Sequence, residues 1–403
     1  SHEPASAEKP ALTLGYMRLT ASAPLIIAKE NGLFERYGLA VALSREISWA
    51  NIRDKVAVGA LDAAQMLAPM PLSASFGIDG MCTKMLTGLM LSLNGNAITV
   101  ASGLADSLAV SVATALDPVA AARLLKARIT RTGMQPTFAT VYPFSNHSFM
   151  LRLWLAAGGI DPDTQVRIIV LPPQQMVTSL ANGIIDGFCV GEPWNSLAVQ
   201  AGVGTVLTTG YQIWNNAPEK ALGVTAKWHS RYPATHLRLR LALMEAAAWL
   251  AEPENRIQAA HIIAAPEYLD LPEKAIHPAL LGNFQFTKMG APVSLPDCHV
   301  FHRYHAGFPW RSRAEWLLQQ SAEVVGKPIS REQISALAQE TYRTDLYREA
   351  ARALGWQSPL KDTKTEGFHA VAYELSPDVE LGPDLILGGK TFIPSLGCAR
   401  PAP

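Results

Sequence analysis

Four side chains in this sequence have the chemistry to hold a small oxyanion: Trp49, Asn96, His147 and Lys220. His147 sits in FATVYPFSNHSFMLRLWLAAGG, where a β-favouring run through Phe138, Val141 and Tyr142 turns at Pro143. Ser145 then stands where a helix N-cap belongs, ahead of apolar positions at helical spacing, and Gly158 and Gly159 stop the helix. His147 therefore falls in a first helical turn, just beyond the end of a strand. Ligands of open α/β sheets bind there, and unpaired helix N–H groups favour an anion there. A lone histidine in such a turn can equally be structural.

Of the other three candidates, Trp49 repeats the arrangement. Trp49 follows Ser48 at a strand-to-helix turn, and its indole N–H is a donor with no acceptor. It suits an anion oxygen, or it is a core or hinge tryptophan. Asn96 in LNGNAITV offers an amide to a ligand, or hydrogen-bonds backbone at a strand end. Lys220 in APEK supplies a full positive charge if it faces a cleft, and otherwise is a solvated surface residue. Glu192 in GEPW would repel an anion directly, so it reads as a supporting or hinge residue, or a plain helix-start carboxylate. Ser48 and Ser145 read as the caps that set Trp49 and His147 in place.

The elements that must position these residues follow a rhythm. Residues 1–10 are polar, carry two prolines and read as a loose tail. Strand Leu12–Met17, helix Ala23–Tyr37, strand Val41–Glu46, a helix capped by Ser48, strand Leu61–Leu67 and a helix opened by Pro69 and Pro71 alternate. Two strand-like pieces flank Asn94-Gly95-Asn96. A second unit from Pro136 repeats the order, with strands near 166–171, 185–190 and 205–209 and helices near 173–181 and 193–201. LDAAQML and IDGFCVG occupy matching places in the two units. Around 214–227 the chain returns to the first unit. Helices follow over 233–264, 312–325 and 330–354, and the tail after Ser358 has no clear period.

Composition bounds the function. The 403 residues are 49% hydrophobic and 17% charged, so the chain is globular and long enough for two or more lobes. Lys plus Arg and Asp plus Glu both number 34, which gives a net charge of zero and no nucleic-acid or polybasic membrane surface. The uncharged apolar run Ala21–Ala28 is too short to cross a membrane. Cys82, Cys189, Cys298 and Cys398 form no CxxC pair; their even number permits disulfides without arguing for them. The cluster CHVFHRYH, with Cys298, His299, His302 and His305, has metal-ligand residue types, but its spacing of three drifts off one helix face. The expectation is no metal and no cofactor. No GxSxG, Walker A, GxGxxG after a strand or HExxH occurs, and no nucleophile is paired with a base, so the chain reads as a non-enzyme.

Several segments together carry a resemblance: SAPLIIAKENGLFERYGL, SWANIRDKVAVGALDAAQMLAPMPL, LNGNAITV, PFSNHSFMLRLWLAAGGIDPD, VLPPQQMVTSLANGIIDGFCVGEPWNSLAV and IWNNAPEKALGVT. They resemble the nitrate- and bicarbonate-binding proteins of ABC importers and their cytoplasmic relative, the nitrate/nitrite sensor that controls an RNA-binding antiterminator. The resemblance covers residues 12–230 almost continuously and weakens after about 265. It implies a periplasmic-binding-protein-like α/β clamshell with mostly parallel sheets, lobe one over 11–104 with 222–403 and lobe two over 105–221. It implies nitrate or nitrite in the interlobe cleft, on Trp49, Asn96, His147 and Lys220. The family's transport proteins carry Gln where Asn96 stands. Its bicarbonate binders carry an acidic residue, beside calcium, where Lys220 stands, so Lys220 points to nitrate or nitrite.

Two roles follow. One is a cytoplasmic sensor whose partner is the antiterminator. The other is a periplasmic importer subunit whose partner is an ABC permease. Ser1, which resembles a residue exposed by removal of an initiator Met, and the wording of SWANIRDK and DAAQMLAPMPL lean toward the sensor. Neither role needs membrane insertion or nucleic acid.

Overall fold

The structure is a computed structural model, described here for residues 3–78, 80 and 82–395. Ser1 and Cys398 lie outside the described residues. Two mixed sheets form the scaffold. The first contains β1 (Ala11–Tyr16), β2 (Ala40–Arg45), β3 (Ala63–Leu67), β4 (Met85–Leu86) and β5 (Met90–Asn94). The second contains β6 (Asn96–Ala101), β7 (Thr137–Thr140), β8 (Arg167–Val170), β9 (Gly187–Gly191) and β10 (Gly204–Thr209). β11 (Pro218–Thr225) returns to the first sheet. β12 (Asn283–Phe284) and β13 (Val293–Ser294) form a separate pair, and β14 (His299–Val300) closes the edge of the first sheet on β5. β15 (Tyr373–Ser376) and β16 (Val379–Leu381) make a hairpin in the stretch after Ser358.

The β-α-β rhythm produces the parallel half of each sheet, β2-β1-β3 and β8-β7-β9. The antiparallel half comes from strands that carry the chain between the sheets: β5, β6 and β11. By strand pairing, the chain crosses outward at Gly95 and is back by Pro218. Relative to the expected boundaries at 104/105 and 221/222, β6 and the start of β11 therefore change sides.

Three other expectations are corrected by the structure. The helix expected over 23–37 divides at Asn31-Gly32, with Gly32 at φ 69° in the left-handed region. The helix expected over 330–354 divides at Tyr342, whose backbone turns extended and bridges Thr87 while its hydroxyl donates to Ala68 O at 2.7 Å. The stretch before Ala11 is held rather than loose. Arg238 donates to Pro4 O and Ala5 O, the Glu8 carboxylate accepts from Ala234 N, and Lys9 pairs with Asp62.

The two sheets are closed on one another. Thr20 N donates to Glu192 O at 2.8 Å, Trp194 Nε1 to Arg18 O at 2.8 Å and Gln174 Nε2 to Ile47 O at 2.7 Å. The later chain braces this closure. The helix Arg311–Val325 packs on the helix Met70–Phe76 beside the first sheet. Its Trp316 meets Phe149 on the helix Asn146–Ala157 at 6.2 Å and Trp214 at 4.9 Å, both edge-on.

Gly95 is a physical requirement of the crossing. Its φ is 80°, and a Cβ there would lie 2.5 Å from His299 Nε2. Gly95→Ala should therefore cost about 2 kcal/mol or more of stability in urea unfolding. His299→Ala in the same chain should return part of that loss. Unchanged stability of the single variant would show that the crossing has no such constraint.

Candidate functional site

Two capped helices aim side chains at the crossing. Ser48 Oγ accepts from Asn51 N at 3.1 Å and starts the helix Trp49–Ala57. Ser145 Oγ accepts from Ser148 N at 3.0 Å and starts the helix Asn146–Ala157. Both serines thus act as the caps their positions foretold. Trp49 and His147 occupy the first turns, one beside each sheet. β11 of the first sheet brings Glu219 and Lys220, and β6 brings Asn96.

These residues meet around a carboxylate that the sequence did not single out. Glu219 is 1% exposed. Its Oε1 lies 2.5 Å from Lys220 Nζ and 2.6 Å from His147 Nε2. Its Oε2 accepts from Asn96 Nδ2 and Asn146 Nδ2, each at 2.6 Å. Burial raises the Glu219 pKa, but His147 and Lys220 outweigh that penalty and hold the carboxyl far below its usual range. Glu219 is therefore ionised. Burial pushes the His147 imidazole below its ordinary value, Glu219 pulls it back in part, and Lys220 opposes protonation. The neutral ring donates from Nε2 to Glu219, which leaves Nδ1 buried with no partner.

Lys220 is not the free cation expected from APEK. It is fully buried and paired with its own neighbour in sequence. In a regular strand Glu219 and Lys220 would point to opposite faces. The β5–β11 register shifts on both sides of Lys220, and this irregularity lets the pair meet. The Asn96 amide is not spent on backbone. Its Nδ2 goes to Glu219, and its Oδ1 stands where a Cβ on Gly210 would lie 2.2 Å away, so only glycine fits at 210.

Trp49 keeps its donor. The ring lies under Lys220 Nζ at 5.5 Å, and Nε1 is buried with no acceptor. Gln65, Thr20 and Thr140 also hold buried polar atoms without partners: Gln65 Nε2, Thr20 Oγ1 and Thr140 Oγ1. Gln65 is oriented by its own Oε1, which accepts from Met17 N at 3.0 Å and Ser22 Oγ at 3.1 Å. Its signal in the sequence was a lone amide inside the apolar run of β3. Buried polar atoms without partners are costly, and the Trp49 N–H is one that lies beside the ion pair.

Glu192 stands at the end of β9 and does not touch the ion pair. Its carboxylate accepts from Ser196 N at 3.1 Å and from Ser196 Oγ, and burial raises its pKa against those bonds. Its backbone carries the contact between the sheets through Thr20 and Gly95. The cluster CHVFHRYH is no helix: His299–Val300 is β14 and Arg303–His305 is a turn with Tyr304 at φ 62°. Among the described residues no group of three or more His, Cys, Asp or Glu is gathered to hold a metal ion. Cys82, Cys189 and Cys298 are free thiols. No helix of the described residues is long and apolar enough to cross a membrane.

Comparison with known proteins adds an independent line. The description of the NMT1-like family matches residues 5–264. The nitrate/nitrite binding protein NrtA of Synechococcus elongatus is 33% identical over 395 residues, covering 94% of this chain and 86% of that protein. The crystal structure of the periplasmic nitrate-binding protein NrtA from Synechocystis PCC 6803 superimposes with a TM-score of 0.83 at 30% identity, covering 94% of this chain and 97% of that one. The nitrate import ATP-binding protein NrtC of Synechocystis sp. is 39% identical over 352 residues, but the chain spans only 51% of its length.

The buried pair makes a stability prediction. Lys220→Met leaves the Glu219 carboxylate without its full counter-charge and should cost about 3–5 kcal/mol in denaturant unfolding. Adding Glu219→Gln should recover most of that loss. A single variant as stable as the parent would mean that the pair is not formed in solution.

Proposed function

The chain belongs to the NMT1-like family, among solute-binding proteins of the nitrate- and bicarbonate-binding type rather than enzymes, and from that membership we propose that it binds nitrate or nitrite between its two sheets. The observation that carries the ligand is the buried Trp49 N–H, unpartnered, over whose ring the Lys220 ammonium sits. A flat trigonal anion can pack on the indole face and accept from donors at its rim. Lys220 stands where the resembling bicarbonate binders carry an acidic residue, which favours nitrate or nitrite. Trp49, Gln65 and Lys220 would act from the first sheet, and His147 and Thr140 from the second. Asn96 and Asn146 would act through Glu219. Donors on both sides are satisfied together only when the cleft is shut, which couples binding to closure.

The setting we propose is the binding component of an ABC-type nitrate importer, working with a permease on the periplasmic side. The relatives that support it are named as importer components and periplasmic binding proteins. This displaces the cytoplasmic sensor with an antiterminator partner as the leading role, because none of the relatives cited above is named as a regulator.

Isothermal titration calorimetry tests the ligand. Nitrate or nitrite should bind with micromolar affinity, about −8 kcal/mol. Trp49→Phe keeps an aromatic face but loses the N–H and should weaken binding about tenfold. Tight, calcium-dependent bicarbonate binding without a nitrate or nitrite signal would overturn the assignment.

A further inference from the structure

We propose that Glu219, as internal counter-ion to Lys220, makes the pocket take one proton with each anion. The inference rests on the nitrate or nitrite reading above and concerns what that reading leaves open: how the anion's charge is compensated.

The charges of the closed site already cancel. Lys220 Nζ and Glu219 Oε1 are 2.5 Å apart and shielded from water. Asn96 and Asn146 saturate the other carboxylate oxygen with neutral donors. His147 spends its Nε2 proton on Glu219. The remaining nitrogen, Nδ1, then keeps its lone pair, buried and without a donor. A monoanion entering this arrangement brings an uncompensated charge and faces that lone pair. Burying such a charge is costly.

Protonation of Nδ1 removes both obstacles. The imidazolium keeps its Nε2–H bond to Glu219, and its new Nδ1–H can donate to the anion. The proton comes from solvent, no other bond changes, and the net charge of the site stays zero. Without Glu219, Lys220 alone would balance the anion and no proton would be needed.

No other neighbour substitutes for His147. On β11 its charged partners are Glu219 and Lys220. On β9, Cys189 is held as a thiol by burial, reinforced by Glu219, and Glu192 is turned into its bonds with Ser196. His299 on β14 is pushed down to about 3 by burial and so stays neutral. The helix Pro118–Thr132 commits Lys126 to Gln165, and the turn Gly210–Ile213 offers only Tyr211, raised by burial. The turn Leu387–Gly389 carries no titratable group.

The direction with pH follows from linkage. His147 is held below its ordinary value in the free protein and raised by the bound anion. Between those two values, affinity falls about tenfold for each unit of rising pH, and below the lower value it is flat.

The experiment is calorimetric titration of the intact protein with nitrate and with nitrite, in buffers of different ionisation heat, across pH 6 to 8.5. The expected result is uptake of about one proton per anion at the acidic end of that range, falling away as pH rises through the value His147 takes with the anion bound. Glu219→Gln should abolish the uptake, flatten the pH profile and bind more tightly than the parent at pH 8.5. Anion binding with no proton uptake in the parent overturns the proposal and leaves the ligand assignment standing. If Glu219→Gln does not fold, the parent's proton count decides alone. Absence of heat with either anion overturns both.

Discussion

A fully buried carboxylate is the constraint around which this site is built. Glu219 has lost its water, and ionising it there is affordable only because four donors surround it. They arrive from β11, from β6 and from the first turn of the helix Asn146–Ala157. β11 belongs to the first sheet, β6 to the second, and the helix packs on β9 of the second. The same carboxylate therefore ties the sheets together and consumes the charges that a ligand would otherwise use. The donors left over, Trp49 Nε1 foremost, are those the proposed anion would use.

Closure depends on this arrangement and on the later chain. Gly95 lets the backbone pass between the sheets against the His299 ring, and Glu192 holds both Gly95 and Thr20 through its backbone. Trp316 rests on Phe149, within the helix whose first turn carries His147. The helix that presents the imidazole is thus braced from the part of the chain beyond the family match at residue 264. Motion of the second sheet must be paid for in these contacts as well as in the ion pairs.

Much of this was legible in the sequence, for reasons that are local. Ser48 and Ser145 are caps by residue type and position, so the first-turn placement of Trp49 and His147 followed from short-range rules. The β-α-β rhythm gave the parallel halves of both sheets. Glu219 was not legible, because its role needs the register shift at Lys220, and strand alternation would have turned it away. Asn146 was hidden by its neighbour His147, and Gln65 by the apolar run around it. The division of the chain at Gly32 had a visible signal in Asn31-Gly32. The break at Tyr342 had none, since it is set by pairing with Thr87, far away in sequence.

The central claim is that Trp49 and the Glu219–Lys220 pair form the seat of a small planar anion. The most direct measurement is nuclear magnetic resonance of the protein labelled with nitrogen-15 on its tryptophan indoles, with the Trp49 signal assigned from the Trp49→Phe variant. On titration with nitrate, the Trp49 indole proton should move downfield as it gains an acceptor, and the buried Trp154 indole, already bonded to Pro118 O at 2.8 Å, should stay still. An unmoved Trp49 signal under nitrate saturation confirmed by calorimetry would place the anion elsewhere and contradict the account.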